Sequence, residues 1–164
     1  MSTLDWQTHW QNVYQTKGER DVSWFQETPA ISLDLIRATG LGTEASITDV
    51  GGGASRLVDA LITEGFRSIT VLDVSDKALA ASRDRLGPPA QHVTWIVADV
   101  TAWRPDKSYD LWHDRAAFHF LTDPSDRAAY AMRAKRGTCR RARDHRNVCA
   151  GWTRAMQRFA GHPA

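Results

Sequence analysis

Three aspartates recur along the chain, each closing a short apolar run: Asp49 after Ile47-Thr48, Asp73 after Val71-Leu72, and Asp99 after Ile96-Val97-Ala98. Asp49 and Val50 run straight into Gly51, Gly52 and Gly53. An ionised carboxylate only accepts hydrogen bonds, so it suits hydroxyls, ammonium groups and exocyclic amines. Glycine lets a backbone approach a ligand closely. Asp73 follows the glycines by about 20 residues, the offset at which a nucleotide ribose is gripped. A further cluster, His113, Asp114 and His119, offers a base for an acceptor amine or hydroxyl. Taken singly, these last residues fit a plainer role better, Asp114 pairing with Arg115 and His119 packing in a core.

Residues of this kind act together only if the chain brings them to one place. Each aspartate ends a segment that reads as a buried strand, and the spacing predicts strands near 46–50, 69–73, 93–98 and 109–113. Between them lie helical patterns. Ala54 onward carries Leu57, Val58, Leu61 and Ile62 at helical spacing, and Asp76 to Leu86 is a helix capped at Ser75 or Asp76 and stopped by Gly87-Pro88-Pro89. A ligand laid across the glycine turn would meet N–H groups at the start of the first of these helices. Alternating strands and helices imply a doubly wound, mainly parallel α/β sheet in three layers, with all three acids along its carboxyl edge, where open α/β sheets bind ligands.

The motif Asp49-Val50-Gly51-Gly52-Gly53-Ala54-Ser55, with the second acid at Asp73 and the Ala98-Asp99 unit, resembles class I S-adenosylmethionine-dependent methyltransferases. Ser55 stands where that family usually has a third glycine. The resemblance covers roughly Trp6 to Met132 and implies a Rossmann-like fold, S-adenosylmethionine as cofactor and methyl transfer as the activity. It implies Gly51, Gly52 and Gly53 for close approach, Asp49 for the turn and the methionine end, Asp73 for the ribose, and Asp99 for the adenine amino group. Val74 and Val100 would flank the adenine ring, and Arg56 would reach the methionine carboxylate. The methyl acceptor, protein lysine or small molecule, is not set by these motifs.

The N-terminal segment from Asp5 to Tyr14 reads as a helix with Trp6, Trp10, Val13 and Tyr14 on one face. It either packs on the sheet by its aromatics or forms a lid over the cofactor. Trp24 and Phe25 either anchor a loop or close on the sulfonium, since an aromatic face attracts a cation. Pro29 opens a helix whose apolar side is assigned to Ile31, Leu33, Leu35 and Ile36, and Gly40 and Gly42 end it.

The formal net charge of +2 conceals a split. There are 12 Lys/Arg against 18 Asp/Glu up to Met132, and 9 against 1 from Arg133 on. No long apolar run suggests a membrane span. With only Cys139 and Cys149 there is no disulfide framework, and a cytoplasmic protein is expected. Cys139, His145, Cys149 and His162 match no metal-ligand spacing, so no metal is assigned.

The expected organisation is a partial cofactor-binding domain over 1–136 and a basic, irregular tail over 137–164 that supplies no fifth strand. A frameshift accounts for that tail without invoking nucleic acid. From Arg143, synonymous codons permit a reading one nucleotide later that opens Val-Ile-Ile-Ala-Thr-Phe, a buried strand where the family has one. A truncated sheet leaves two rivals to a methyltransferase: a cofactor-binding module without turnover, and an NAD-binding Rossmann protein. The latter's fingerprint does not call for an acid two residues before the first glycine.

Overall fold

A computed structural model describes residues 8–13, 27–114 and 117–138. Tyr14, Trp24, Phe25, Arg115 and the segment 139–164 lie outside the described residues. Four strands form one parallel sheet in the order β3-β2-β1-β4: β1 is Ser46–Val50, β2 Ser68–Asp73, β3 Val93–Val97 and β4 Leu111–Asp114. The helices are α1 over 8–13, α2 Ala30–Ala38, α3 Leu57–Thr63, α4 Asp76–Leu86 and α5 Pro124–Thr138. No helix among the described residues is long and apolar enough to cross a membrane.

Alternation along the strands separates two cores. Ile47, Ile69, Val71 and Val93 point to the side where Leu33 and Ile36 of α2, Leu57, Val58 and Leu61 of α3, and Leu79 of α4 pack. Val50, Leu72 and Trp112 point to the other side, beneath Tyr130 and Ala134 of α5. A sheet covered on both faces accommodates strands that are apolar almost throughout, and burying each Val, Leu or Ile contributes about 1.5–3 kcal/mol. This is the three-layer, doubly wound arrangement expected.

Two boundaries and the packed face of one helix differ from expectation here, each for a visible reason. Helix α3 starts at Leu57, because Gly52 to Ser55 form a turn, with the Ser55 N–H donating to the Gly52 carbonyl at 2.7 Å. Strand β4 starts at Leu111, because the Tyr109 N–H turns to the Gly137 carbonyl and Asp110 bonds to Ser46. On α2, Leu33 and Ile36 are buried as expected, but Ile31 and Leu35 are 70% and 64% exposed. Positions 31 and 35 share a stripe on the far side of the helix from 33 and 36, and one packed face cannot hold both stripes.

Helix α5 runs two residues past the expected domain boundary. A Cβ on Gly137 would lie 2.5 Å from Trp112 Cζ3, so the helix docks its last turn directly on the β4 indole.

Candidate functional site

Because the sheet is parallel, all four strands end on one edge. β1 delivers Asp49 there and runs into the glycine turn. The Gly51 and Gly52 N–H groups both donate to the Leu72 carbonyl, at 2.8 and 3.3 Å, which ties the turn to β2. Gly51 has φ +70°, a region that favours glycine. A Cβ on Gly52 would fall 2.6 Å from Asp49 Oδ2, and one on Gly53 2.7 Å from Asp73 Oδ2. The glycines therefore let the backbone pass against both carboxylates.

Asp49 is 3% exposed. Its Oδ1 is 2.7 Å from Nδ1 of His113, its register partner across β1 and β4. Its Oδ2 is buried and has no hydrogen-bond partner among the described residues. The other His113 nitrogen, Nε2, lies 3.0 Å from Oγ of Ser32 on α2. A buried acceptor left open is costly unless a ligand fills it, so Oδ2 marks a place for a donor.

Asp73 is also buried, and its Oδ1 accepts the Ser75 N–H at 2.8 Å. Burial raises its carboxyl from the usual 3.8 to about 6, against the lowering effect of the Ser75, Val74 and Gly53 backbone donors, and nearby Asp49 raises it further. Asp99, half-buried past the end of β3, holds the Thr101 N–H and hydroxyl on one oxygen, Oδ1, at 2.8 and 2.7 Å. Val74 is half-buried beside Asp73. Val100 is 8% exposed and packs with Leu72, Trp112 and Tyr130 in the core beneath α5. Of the two valines expected to flank a ring, Val74 has the surface to do so. Arg56 precedes α3 and lines a groove between α2 and α3 with Pro29, Leu33 and Arg37.

His113 and Asp114 do not form a pair. Neighbours on a strand project to opposite faces, and His113 goes to Asp49 and Ser32 while Asp114 goes to the α5 side. There Asp114 accepts the Ala117 and Phe118 N–H groups, at 2.8 and 3.1 Å, and the Tyr130 hydroxyl. Trp112 Nε1 donates to the same Tyr130 oxygen at 2.9 Å. Burial raises the Asp114 carboxyl despite these donors. His119 is exposed in the 3-10 turn Ala117–Phe120, and so does not pack in a core.

Helix α1 lies across the same edge. Trp10 meets Phe120 edge-on at 5.0 Å between ring centroids, and Gln11 Oε1 accepts from Ser75 Oγ at 3.5 Å. The helix thus touches both the loop after β2 and the turn after β4. Sequence reasoning missed Ser32, Gln11 and Tyr130, which carry no local signal. It also missed Thr101, whose place two residues after Asp99 suits an aspartate side chain that accepts from the backbone two residues on.

The sequence profile of the family described as "Methyltransferase domain" matches residues 47–137. Thiocyanate methyltransferase 1 of Arabidopsis thaliana is 29% identical over 126 residues, covering 74% of this chain and 52% of that protein. Nodulation protein S of Rhizobium tropici is 29% identical over 89 residues, covering 54% of this chain and 37% of that protein. The chain thus spans about half the length or less of the curated relatives it matches. Among solved structures, the DhpI-SAM-HEP complex superposes with a TM-score of 0.66 at 14% identity, over 96% of this chain and 71% of that one. The glycopeptide N-methyltransferase MtfA complexed with S-adenosyl-L-methionine superposes with a TM-score of 0.61 at 19% identity, over 75% and 55%. With the family profile covering more than half of the chain, including the triple glycine and both buried carboxylates beside it, the chain belongs to the methyltransferase domain family.

Proposed function

We propose that the chain binds S-adenosylmethionine along the carboxyl edge of its sheet and transfers the methyl group to an acceptor. The observation that carries this reading is the pair of buried acids beside the glycine turn, Asp49 with an open oxygen and Asp73 with a carboxyl raised by burial. Carboxylates accept hydrogen bonds, Asp49 has one oxygen without a donor, and the cofactor is rich in donors: an ammonium group, two ribose hydroxyls and an adenine amine. Asp49 would take a donor from the methionine end, Asp73 the ribose hydroxyls, and Asp99 the adenine amine beside Val74. Gly52 and Gly53 let the turn lie directly against these two acids.

When bound, S-adenosylmethionine supplies a methyl group activated by its sulfonium. The chain's own contribution is to orient and to exclude water. In-line displacement needs alignment of acceptor, methyl and sulfur, and alignment with desolvation accounts for most of the acceleration. His113 holds Asp49 by one oxygen and leaves the other for the ligand. Trp10 and Gln11 on α1, placed over both flanking loops, form the lid. A proton leaving the acceptor would pass to His113 or to exposed His119, with Asp114 as the buried support of the turn that carries His119. The acceptor is a protein lysine or a small molecule, and the name of the Arabidopsis relative supports the latter. The composition fits a cytoplasmic enzyme.

A second reading, a cofactor-binding module without turnover, is favoured by one observation: among the described residues β4 pairs only with β1. Calorimetry with S-adenosylmethionine and S-adenosylhomocysteine, run beside a methyl-release assay, separates the two. Binding with release supports the enzyme, and binding alone supports the module. Binding of NAD in place of either ligand would overturn both.

A further inference from the structure

The turn after the triple glycine is held from behind by two side chains of α4, one turn apart. Ser82, fully buried, donates from Oγ to the Gly53 carbonyl at 2.7 Å. Arg85 donates from Nη1 to the Ala54 carbonyl at 3.2 Å and from Nη2 to the Ser55 carbonyl at 2.8 Å. Three successive carbonyls are thereby turned toward α4. Arg85 is itself fixed by Asp59 on α3, Nε to Oδ1 at 3.0 Å and Nη2 to Oδ2 at 2.7 Å, and by Ser82 Oγ at 3.2 Å from Nη2. Its side chain is only 14% exposed, so these charge-assisted bonds are shielded and strong.

The placement has a consequence for the ligand. In a trans peptide each carbonyl points opposite to the next N–H, so fixing the carbonyls of residues 53, 54 and 55 fixes the peptide planes that follow Gly53. The same helix begins at Ser75, whose N–H holds Asp73, and Ala78 in its first turn lies 3.2 Å from where a Gly53 Cβ would be. Helix α4 therefore sets the distance between the glycine turn and the ribose acid. A lysine in place of Arg85 could not do this, because a single ammonium lacks the planar fork that serves two carbonyls and a carboxylate at once.

We infer that Arg85, with Ser82, is a positioning residue for cofactor binding: it shapes the Gly53–Ser55 turn for the methionine end of the ligand without touching the ligand. The inference rests on the S-adenosylmethionine reading. It predicts a selective defect, since the turn faces the methionine end while Asp73 and Asp99 serve the nucleoside.

The test is calorimetry on the full chain with S-adenosylhomocysteine and, by displacement, with adenosine, using Arg85→Met, Arg85→Lys and Ser82→Ala, each checked for folding by circular dichroism. Arg85→Met should weaken S-adenosylhomocysteine at least tenfold and leave adenosine within about twofold, with Arg85→Lys between it and wild type. Ser82→Ala, the milder change, should show the same split at smaller size if Arg85→Met does not fold. An equal loss for both ligands would mean that Arg85 only supports the fold, and an unchanged S-adenosylhomocysteine affinity would remove the inference alone. A wild-type chain that binds neither ligand would remove the cofactor reading and this inference with it.

Discussion

Asp73→Asn should stabilise the ligand-free protein at neutral pH and cripple its binding site. Burial raises the Asp73 carboxyl from 3.8 to about 6. That rise corresponds to about 3 kcal/mol by which the folded chain disfavours the ionised form. In the window between those two values the folded state binds more protons than the unfolded one, so stability falls as pH rises through it. The penalty is absent below the lower value and complete above the upper. The asparagine side chain would keep an acceptor for the Ser75 N–H but would turn its amide toward the Gly53 backbone donor, which cancels about 1 kcal/mol of the gain. The net expectation is a stabilisation of roughly 1–2 kcal/mol at pH 7.5, or a rise of several degrees in Tm. At pH 5, inside that window, about half of the penalty remains, and the variant should melt close to wild type. Over the same change, affinity for S-adenosylhomocysteine at pH 7.5 should fall about ten- to a hundredfold, as expected for losing one hydrogen bond to a charged group. Thermal melts at both pH values and calorimetry at the higher one read all three effects. A variant that melts lower than wild type by the same margin at both pH values would refute the burial argument, and an unchanged affinity would refute the role given to Asp73.

Gly52→Ala should cost about 1–3 kcal/mol through overpacking, because its Cβ would meet Asp49 Oδ2 at 2.6 Å and Val71 Cγ1 at 2.7 Å. The control Gly42→Ala, with nothing within 4 Å, should leave urea melts unchanged, and equal effects of the two would contradict the packing described. Tyr130→Phe removes the hydroxyl shared by Trp112 and Asp114, and should lower stability by about 1–3 kcal/mol in the same assay. For the segment 139–164, sequencing of the gene should show that a single-base shift near codons 140–143 opens the apolar reading beginning Val-Ile-Ile. A gene in which no such shift opens that frame ends the proposal.

The sheet and its edge are legible because strands and their acids repeat in a pattern that a parallel α/β layer satisfies. Asp49, Asp73 and Asp99 can be placed from their offsets alone. What the acids are bonded to is not legible. His113 reads as a partner of Asp114 along the chain, yet a strand sends adjacent side chains to opposite faces, and its actual partner is Asp49, 64 positions away. Ser32 and Arg85 become meaningful only when helices pack, since nothing local distinguishes a serine or arginine that crosses to another element from one that faces water. Ile31 and Leu35 show the converse error. Their hydrophobicity suggests burial, but the helix face they occupy is not the one turned to the sheet.

Strand β4 joins β1 through contacts that span 64 residues, including Ser46 with Asp110 and Asp49 with His113. The β1-α3-β2-α4-β3 portion, by contrast, closes through nearer neighbours, and contacts distant along the chain are the slower to form. The glycine turn and its clamp on α4 are therefore expected to form ahead of the contact between His113 and Asp49. Completion of the crevice is thus tied to the docking of a late strand, and a chain in which β4 fails to dock would keep both acids but leave Asp49 without its histidine.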